Sequence, residues 1–264
     1  MNAIQLVILL PLLGAAIQTL LGRSLSKTAG GRRVLGILAV LPVALGFLVS
    51  LGVFRELAAL PADGRSRIVA GPDWISAPGF RMPFEWVVDP LSMTMVLVIT
   101  GIGALIHLYS TGYMADEPEY GRFFAYLNLF IAAMLVLVLG NNLGLLFIGW
   151  EGVGLCSYLL IGFWYRDAAN VRAGNKAFIA NRVGDWSLTL GMFLIFVVLV
   201  RSGLAAQDGR FLSFDVMLPA LASALKAEPA MATAIGLLLF GGAAGKSAQF
   251  PLYVWLPDAM AGPT

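Results

Sequence analysis

The sequence is poor in charge, in cysteine and in histidine. Only 12% of its 264 residues are Asp, Glu, Lys or Arg, against about 25% in ordinary globular chains. The single cysteine, Cys156, excludes a disulfide within the chain and a cysteine-based metal or cluster site. With one histidine as well, the chain lacks the ligand sets that hold haem or iron–sulfur clusters, so we expect no redox centre and no cofactor of its own. The net charge of +2 is too small to indicate a nucleic-acid partner.

Apolar residues dominate instead. They make up 59% of the chain and the mean hydropathy is +0.85, values typical of an integral membrane protein surrounded by the lipid bilayer. The first apolar segment is too long for a secretory signal and has neither a basic region ahead of it nor a convincing cleavage site. We therefore predict that this segment is a transmembrane span.

The apolar segments predict an all-α polytopic membrane protein with about seven transmembrane helices. The predicted spans cover residues 3–21, 34–54, 90–107, 123–139, 143–164, 177–200 and 231–255. The last of them contains Gly241, Gly242, Gly245 and Pro251. Because proline removes a backbone hydrogen bond and glycines permit unwinding, we expect this seventh helix to be broken near Lys246.

The segments between the spans predict the loop structure and the topology. Residues 55–89, between helices 2 and 3, mix Pro, Gly and aromatic residues with short apolar runs, which predicts a small hairpin-like external loop. The first joint is basic and contains Arg23, Lys27, Arg32 and Arg33. Because basic joints stay on the cytoplasmic side, we expect a non-cytoplasmic N-terminus. Residues 212–225 are weakly amphipathic and are expected at the interface or in a loop.

Three spans carry ionisable residues where water is scarce. They are Glu151 in the fifth span, Asp185 and Arg182 in the sixth, and Lys246 in the seventh. A charge near the middle of a span costs from a few to roughly 10 kcal/mol, so each residue is a functional-site candidate that needs a partner. Pairing Glu151 with Lys246 would offset part of that cost. Making and breaking this pair would switch whether Lys246 holds its proton, which is a device for proton transfer.

Other interpretations of the charged residues stay open. Lys246 could extend its stem to the membrane interface, and Asp185 with Arg182 could be a purely structural pair three residues apart. His107 is typical of a span end in the headgroup region. Three residues remain as possible relay groups of a proton path: Lys176, His107 and Tyr158.

Three segments carry a resemblance to one protein family. They are GNNLGLLFIGWEGVGLCSYLLIGFWY, NKAFIANRVGDW and GKSAQFPLYVWLPDAMAGPT. In this order they closely resemble the antiporter-like subunit L (chain 5) family of the proton-pumping NADH:quinone oxidoreductase, respiratory complex I. The DPLS element at residues 89–92 extends the resemblance into the N-terminal part.

The resemblance implies a role for each buried charge. In the family, the fifth-span glutamate and the seventh-span lysine, which match Glu151 and Lys246, form the pair of a proton half-channel beside a broken helix. Asp185 and Arg182 match a sixth-span NRxGD motif that shapes the input path. The implied function is proton translocation, driven by quinone reduction elsewhere in the complex.

The resemblance also implies the partners and the location of the chain. NADH, FMN, iron–sulfur clusters and quinone belong to other subunits, and the neighbouring membrane subunit is another antiporter-like subunit. The membrane is an energy-transducing one, the bacterial or the mitochondrial inner membrane. Family members are much longer, and this chain stops at AGPT, before the family's eighth span, so we expect a fragment. Residues 1–110 would be an N-terminal three-helix region with the external loop, and residues 111–264 an incomplete first antiporter-like repeat with helices 4–7.

Two rival functions stay open. A subunit of a multisubunit sodium (cation)/proton antiporter shares shorter versions of the same motifs, so the buried pair does not separate the two functions. A non-transporting membrane scaffold would use the buried charges only to fix helix register. Sodium-dependent, NADH-independent transport would indicate the first rival, and unchanged pumping after neutral substitution of both charges would indicate the second.

Overall fold

The computed structural model describes residues 3–263. Its helices are α1 (Ile4–Leu25), α2 (Ala29–Ala58), α3 (Pro90–Tyr113), α4 (Tyr120–Leu139), α5 (Leu143–Ile161), α6 (Ala168–Arg201), α7 (Leu204–Gln207), α8 (Phe214–Ala224) and α9 (Pro229–Lys246). Two strands, β1 (Arg67–Ala77) and β2 (Phe80–Val88), lie between α2 and α3. In the described part of the chain seven helices, α1 to α6 and α9, are long and apolar enough to cross a membrane. The predicted all-α class with seven spans is confirmed.

Hydropathy located the spans but not all of their ends. α3 continues to Tyr113, beyond the predicted end at His107, and α6 begins at Ala168 rather than at residue 177. The side chain of Asp167 caps α6 by accepting a 2.8 Å hydrogen bond from the Ala169 N–H. The 34 residues of α6 span about 50 Å, so its polar first turns extend beyond a hydrocarbon core of about 30 Å.

Residues 67–88 form the predicted hairpin. β1 and β2 make a two-stranded sheet, and the turn between them contains Gly79 at φ +77°, a conformation that favours glycine. Directly after β2, a reciprocal cap starts α3. The Ser92 N–H donates to Asp89 Oδ1 (2.7 Å), and the Asp89 N–H donates to Ser92 Oγ (2.9 Å). This capping box, with Pro90 in the first turn, explains the DPLS element physically.

The chain divides into two compact units. The first consists of the chain up to Ala70, Glu85–Gly140 and Leu145–Cys156. In this unit α1 packs against both α2 and α4. Gly22 and Gly121 permit the close approach of α1 to α4, since a Cβ on Gly121 would collide with the backbone of Gly22. The buried amide of Asn128 on α4 also donates to the Ala39 carbonyl on α2, at 3.3 Å.

The second unit consists of Gly71–Phe84, Asn141–Gly144 and the chain from Ser157 onward. Its main contact is the packing of α6 against α9. The loop before α8 joins the hairpin, because the Arg81 N–H donates to the Gly209 carbonyl at 2.8 Å. The packing of α6 against α9 brings the charged residues of these two helices side by side.

The boundaries of the two units do not coincide with the predicted division at residue 110. That division follows the antiporter-like repeat implied by the family resemblance and stays a prediction. In the structure α4 packs with α1, α2 and α3, because the apolar faces of these helices bury one another. The weakly amphipathic segment contains the short helix α8, and its place relative to a membrane also stays a prediction.

Candidate functional site

The ionisable residues of α6 and α9 meet in the second unit. Nζ of Lys246, the last residue of α9, lies 3.7 Å from Oδ1 of Asp185 near the middle of α6. Nη1 of Arg182, one turn earlier on α6, lies 3.6 Å from the other oxygen of the same carboxylate. The side chain of Asp185 is 4% exposed, whereas those of Lys246 and Arg182 are 20% and 38% exposed. One buried carboxylate is therefore shared by two cations.

Glycines bring the two helices close enough for this contact. Gly184 and Gly245 directly precede Asp185 and Lys246 in the sequence. A Cβ on either glycine would lie 3.1 Å from the Cα of the other. Gly241, four residues before Gly245, also packs against α6, and this spacing of small residues lets transmembrane helices approach closely. A side chain on this face would separate the carboxylate from the ammonium group.

α9 ends at Lys246 because the chain turns sharply after it. The Gln249 N–H donates to the Ala244 carbonyl (2.9 Å), and the Ala248 N–H donates to the Gly245 carbonyl (3.3 Å). These two bonds are the Schellman pattern of helix termination, with Ala248 at φ +49°. The predicted break near Lys246 is confirmed, but its predicted cause was partly wrong. The glycines stay helical and serve helix packing.

Ala248→Gly is expected to stabilise the protein by about 1 kcal/mol. The left-handed backbone at φ +49° is strained for alanine, whereas glycine adopts it freely. Thermal unfolding of the purified assembly would show the change as a higher midpoint. Ala243→Gly is the matched control, because Ala243 is exposed and helical, and glycine there should cost about 1 kcal/mol. A lower midpoint in both variants would contradict the strain at Ala248.

The segment after the break is held close to α9 and α6. Buried Trp255 donates its indole N–H to the Gly245 carbonyl at 3.1 Å, which satisfies one of the last carbonyls of α9. Further on, Asp258 forms a 2.7 Å ion pair with Lys176 of α6. Both side chains of this pair are 46% exposed, so it contributes little to stability. It shows where the chain after the break meets α6.

An aromatic ring supports Arg182. The guanidinium carbon lies 4.6 Å from the centre of the Phe178 ring, a cation–π contact one turn along α6. The ring of Tyr158 packs on the same Phe178 ring, with centroids 5.4 Å apart. The structure thus connects Tyr158 to Arg182 through an apolar ring.

His107 belongs to the first unit. It is fully buried, with Nδ1 2.8 Å from the Gly103 carbonyl oxygen, and its ring packs on Phe124 of α4. The predicted span end at His107 was wrong, because α3 continues for more than a turn beyond it, whereas a headgroup position stays a prediction. The relay roles of Lys176, His107 and Tyr158 stay predictions.

Glu151 lies near the middle of α5 and is half-buried. Within the first unit α5 approaches α4 through Gly149 and Gly152, which face Leu137 and Ala133. These glycines flank Glu151 and set the position of its helix against α4. Glu151 belongs to the first unit and Lys246 to the second, and their pairing stays a prediction.

Sequence reasoning missed several parts of the site. The ring of Phe178 and the indole of Trp255 have no local signal, because their roles depend on contacts made by the folded chain. The glycine contact did have a signal. Gly184 and Gly245 each stand one residue before a buried charge, and Gly241 and Gly245 have the spacing of a helix-packing motif.

Two protein-family models match this chain. Residues 140–264 match the model described as NADH:quinone oxidoreductase/Mrp antiporter, TM. Residues 74–124 match NADH-Ubiquinone oxidoreductase (complex I), chain 5 N-terminus. The NADH-quinone oxidoreductase subunit L of Mycobacterium tuberculosis (strain H37Rv) is 47% identical over 263 residues, which cover 98% of this chain and 38% of that protein. The subunit L of Escherichia coli (strain K12) is 42% identical over 264 residues, which cover 100% of this chain and 40% of that protein.

This chain belongs to the subunit L (chain 5) family of NADH-quinone oxidoreductases. The family relationship extends over nearly all of the chain, but the chain spans only 38–40% of the length of these two relatives. Glu151, Asp185 and Lys246 all lie in the segment matched by the antiporter model.

Solved structures have the same fold as this subunit L family member. The Mrp complex from Dietzia sp. DQ12-45-1b aligns with a TM-score of 0.78 and 27% identity, covering 99% of this chain and 25% of that chain. The membrane-bound sulfane sulfur reductase (MBS), an archaeal respiratory membrane complex, aligns with a TM-score of 0.68 over 96% of this chain and 35% of that chain. At 20% identity the second similarity concerns the fold alone.

Proposed function

We propose that this chain is the proton-translocating N-terminal part of a subunit L of NADH-quinone oxidoreductase, a translocase of an energy-transducing inner membrane. The observation that carries the proposal is the ion pair of Lys246 and Asp185 at the end of a broken transmembrane helix. Broken helices in membranes supply polar backbone groups at depth and are recurrent sites of ion coupling. The segment that contains the pair is the one that the antiporter family model matches.

The charge balance of the site makes Lys246 the proton carrier. Arg182 stays protonated under all working conditions, so Asp185 and Arg182 balance each other when Lys246 is neutral. When Lys246 is protonated, one further carboxylate is needed to offset its charge in a poorly hydrated site. In the proposal Glu151 is that carboxylate. Lys246 holds its proton while charged Glu151 is near, and it passes the proton onward when Glu151 moves away or is neutralised.

The rest of the cycle belongs to the complete complex. Quinone reduction in other subunits, which hold NADH, FMN, iron–sulfur clusters and quinone, would drive the changes at Lys246. Lys246 would then pass the proton onward, and the proposed neighbour in the membrane is an adjacent antiporter-like subunit. In this proposal the N-terminus lies on the non-cytoplasmic side, which the basic joint between α1 and α2 supports.

Glu151→Gln tests the proposal. Glutamine keeps the size of the side chain but removes the charge that favours protonated Lys246. Without this charge Lys246 would no longer take up its proton. A positioned proton-transfer group such as Lys246 accelerates its step about 10²–10⁴-fold, so we expect NADH-driven pumping by the complete complex to fall to about half or less, with other subunits carrying the remainder. The measurement is proton uptake by vesicles that contain the reconstituted complex, per NADH oxidised.

Glu228→Gln is the matched control for Glu151→Gln. Glu228 is exposed just before α9, so its neutralisation should leave pumping unchanged. Pumping at the wild-type level in Glu151→Gln, or an equal loss in Glu228→Gln, would count against the proposed half-channel.

A second candidate function is cation/proton exchange. It is supported by the structural similarity to the Mrp complex and by the family model, whose description includes the Mrp antiporter. The same buried charges would then be driven by an ion gradient. Sodium-dependent proton movement in vesicles without NADH would favour this function over the first one.

A further inference from the structure

A groove on the first unit combines basic and apolar residues. It lies between α2 and α3, has a volume of about 920 Å³, and carries Lys27, Arg32 and Arg33 at one end. Its walls farther along are apolar and include Ile37 and Leu108, both more than half exposed. A concave apolar path that begins beside a basic cluster matches the chemistry of an amphiphile with an anionic head.

A second groove of about 590 Å³ continues along the same two helices. Ala44 lines both grooves, and the second is walled by apolar residues such as Phe47, Leu48 and Leu105. From Arg33 to Leu48, α2 rises about 22 Å, whereas half of the hydrocarbon core is about 15 Å thick. The two grooves together are therefore long enough for an acyl chain that crosses one leaflet.

The basic end is built to receive an anion. Arg32 is fixed in place, since Nε donates to the Ser26 carbonyl (2.8 Å) and Nη1 donates to the Ala115 carbonyl (2.6 Å). Lys27 and Arg33 are exposed, and neither forms an ion pair within residues 3–263. Among the residues that line this groove, three are cations and one, Asp116, is a carboxylate. The end of the groove therefore has a net positive charge.

We infer that this groove binds an anionic phospholipid. Its phosphate lies at Lys27, Arg32 and Arg33, and one acyl chain runs past Ala44 into the second groove. Inorganic phosphate would leave the apolar path unfilled. A zwitterionic lipid would bring a further cationic group to an end that is already basic. This inference rests on the groove and does not depend on the proposed proton path.

Photo-crosslinking to the complete complex tests the inference. The probe is phosphatidylglycerol with a photoactivatable group on one acyl chain, and the readout is the yield of cross-linked peptides from α2. Each basic residue near a membrane surface strengthens binding of an anionic lipid about fivefold. The double variant Lys27→Gln/Arg33→Gln is therefore expected to lower the yield by roughly 25-fold at low salt. Ala44→Phe should lower it as well, because the ring fills the junction of the two grooves while all charges remain.

The controls separate specific binding from general attraction. Arg23→Gln removes a charge from the same basic joint but not from the groove, so it should keep the wild-type yield. Unlabelled phosphatidylglycerol should compete, whereas phosphatidylcholine with the same acyl chains and inorganic phosphate should not. Equal competition by phosphatidylcholine, displacement by phosphate alone, or no cross-link to α2 because another subunit covers the groove would each overturn the inference.

Discussion

Lys246→Ala is expected to lower NADH-driven proton pumping by the complete complex to about half of the wild-type value or less. The substitution removes the ammonium group that meets Asp185 at 3.7 Å, and alanine cannot hold a proton in its place. Pumping is measured in vesicles as protons moved per NADH oxidised. The amount of the subunit in the purified complex shows whether the variant still assembles.

Lys246→Arg separates proton exchange from charge. Arginine keeps the positive charge beside Asp185 but does not release its proton. We therefore expect this variant to assemble normally and to pump as poorly as Lys246→Ala. Full pumping in Lys246→Arg would mean that the site needs only a fixed cation, which is the scaffold interpretation of these charges.

Lys226→Ala is the matched control for the loss of a lysine. Lys226 is exposed in the short turn between α8 and α9, so its removal should leave pumping unchanged. If Lys246→Ala pumps like the wild type, or if both variants lose activity equally, Lys246 is not the proton carrier.

The spans, the hairpin and the break could be predicted from the sequence because each depends on local residues. Apolar runs locate the spans, and Pro251 indicates that the seventh helix is interrupted, although the helix already ends at Lys246. The ends of α3 and α6 could not be predicted in this way. Hydropathy shows which residues suit a hydrocarbon core, but a helix can continue with polar residues outside it, as α6 does through Lys176.

The candidate residues of the site were also predictable, but the contacts of Lys246 were not. A buried charge stands out in any apolar run, which identified Asp185 and Lys246. The sequence suggested Glu151 as the partner of Lys246, and the structure adds a 3.7 Å contact with Asp185. Which helices become neighbours is decided by the packing of whole faces. α6 and α9 pack closely because Gly184 on one helix faces Gly245 on the other. Neither helix sequence alone shows this contact.

Gly245→Leu is expected to weaken both stability and pumping, although every charged residue remains. The 3.1 Å approach between a Cβ at Gly245 and the Cα of Gly184 involves backbone that cannot rotate away, so a larger side chain must push α6 and α9 apart. Overpacking of this kind costs about 1–3 kcal/mol. It would also lengthen the contact between Lys246 and Asp185 beyond the range of an ion pair. Thermal unfolding and vesicle pumping measure the two effects separately.

Gly236→Leu shows whether the position or the new side chain is responsible. Gly236 lies on the same helix, but a Cβ there meets no atom within 4 Å, so leucine should leave both properties near wild type. Gly245→Ala should fall between wild type and Gly245→Leu, because its single methyl group, 3.1 Å from the Gly184 Cα, requires a shift of only a few tenths of an ångström. This graded order at Gly245, with no effect at Gly236, is what close packing predicts. Equal losses at Gly245 and Gly236 would mean that α9 tolerates a larger side chain at neither position. The contact between Gly184 and Gly245 would then not explain why Lys246 lies beside Asp185.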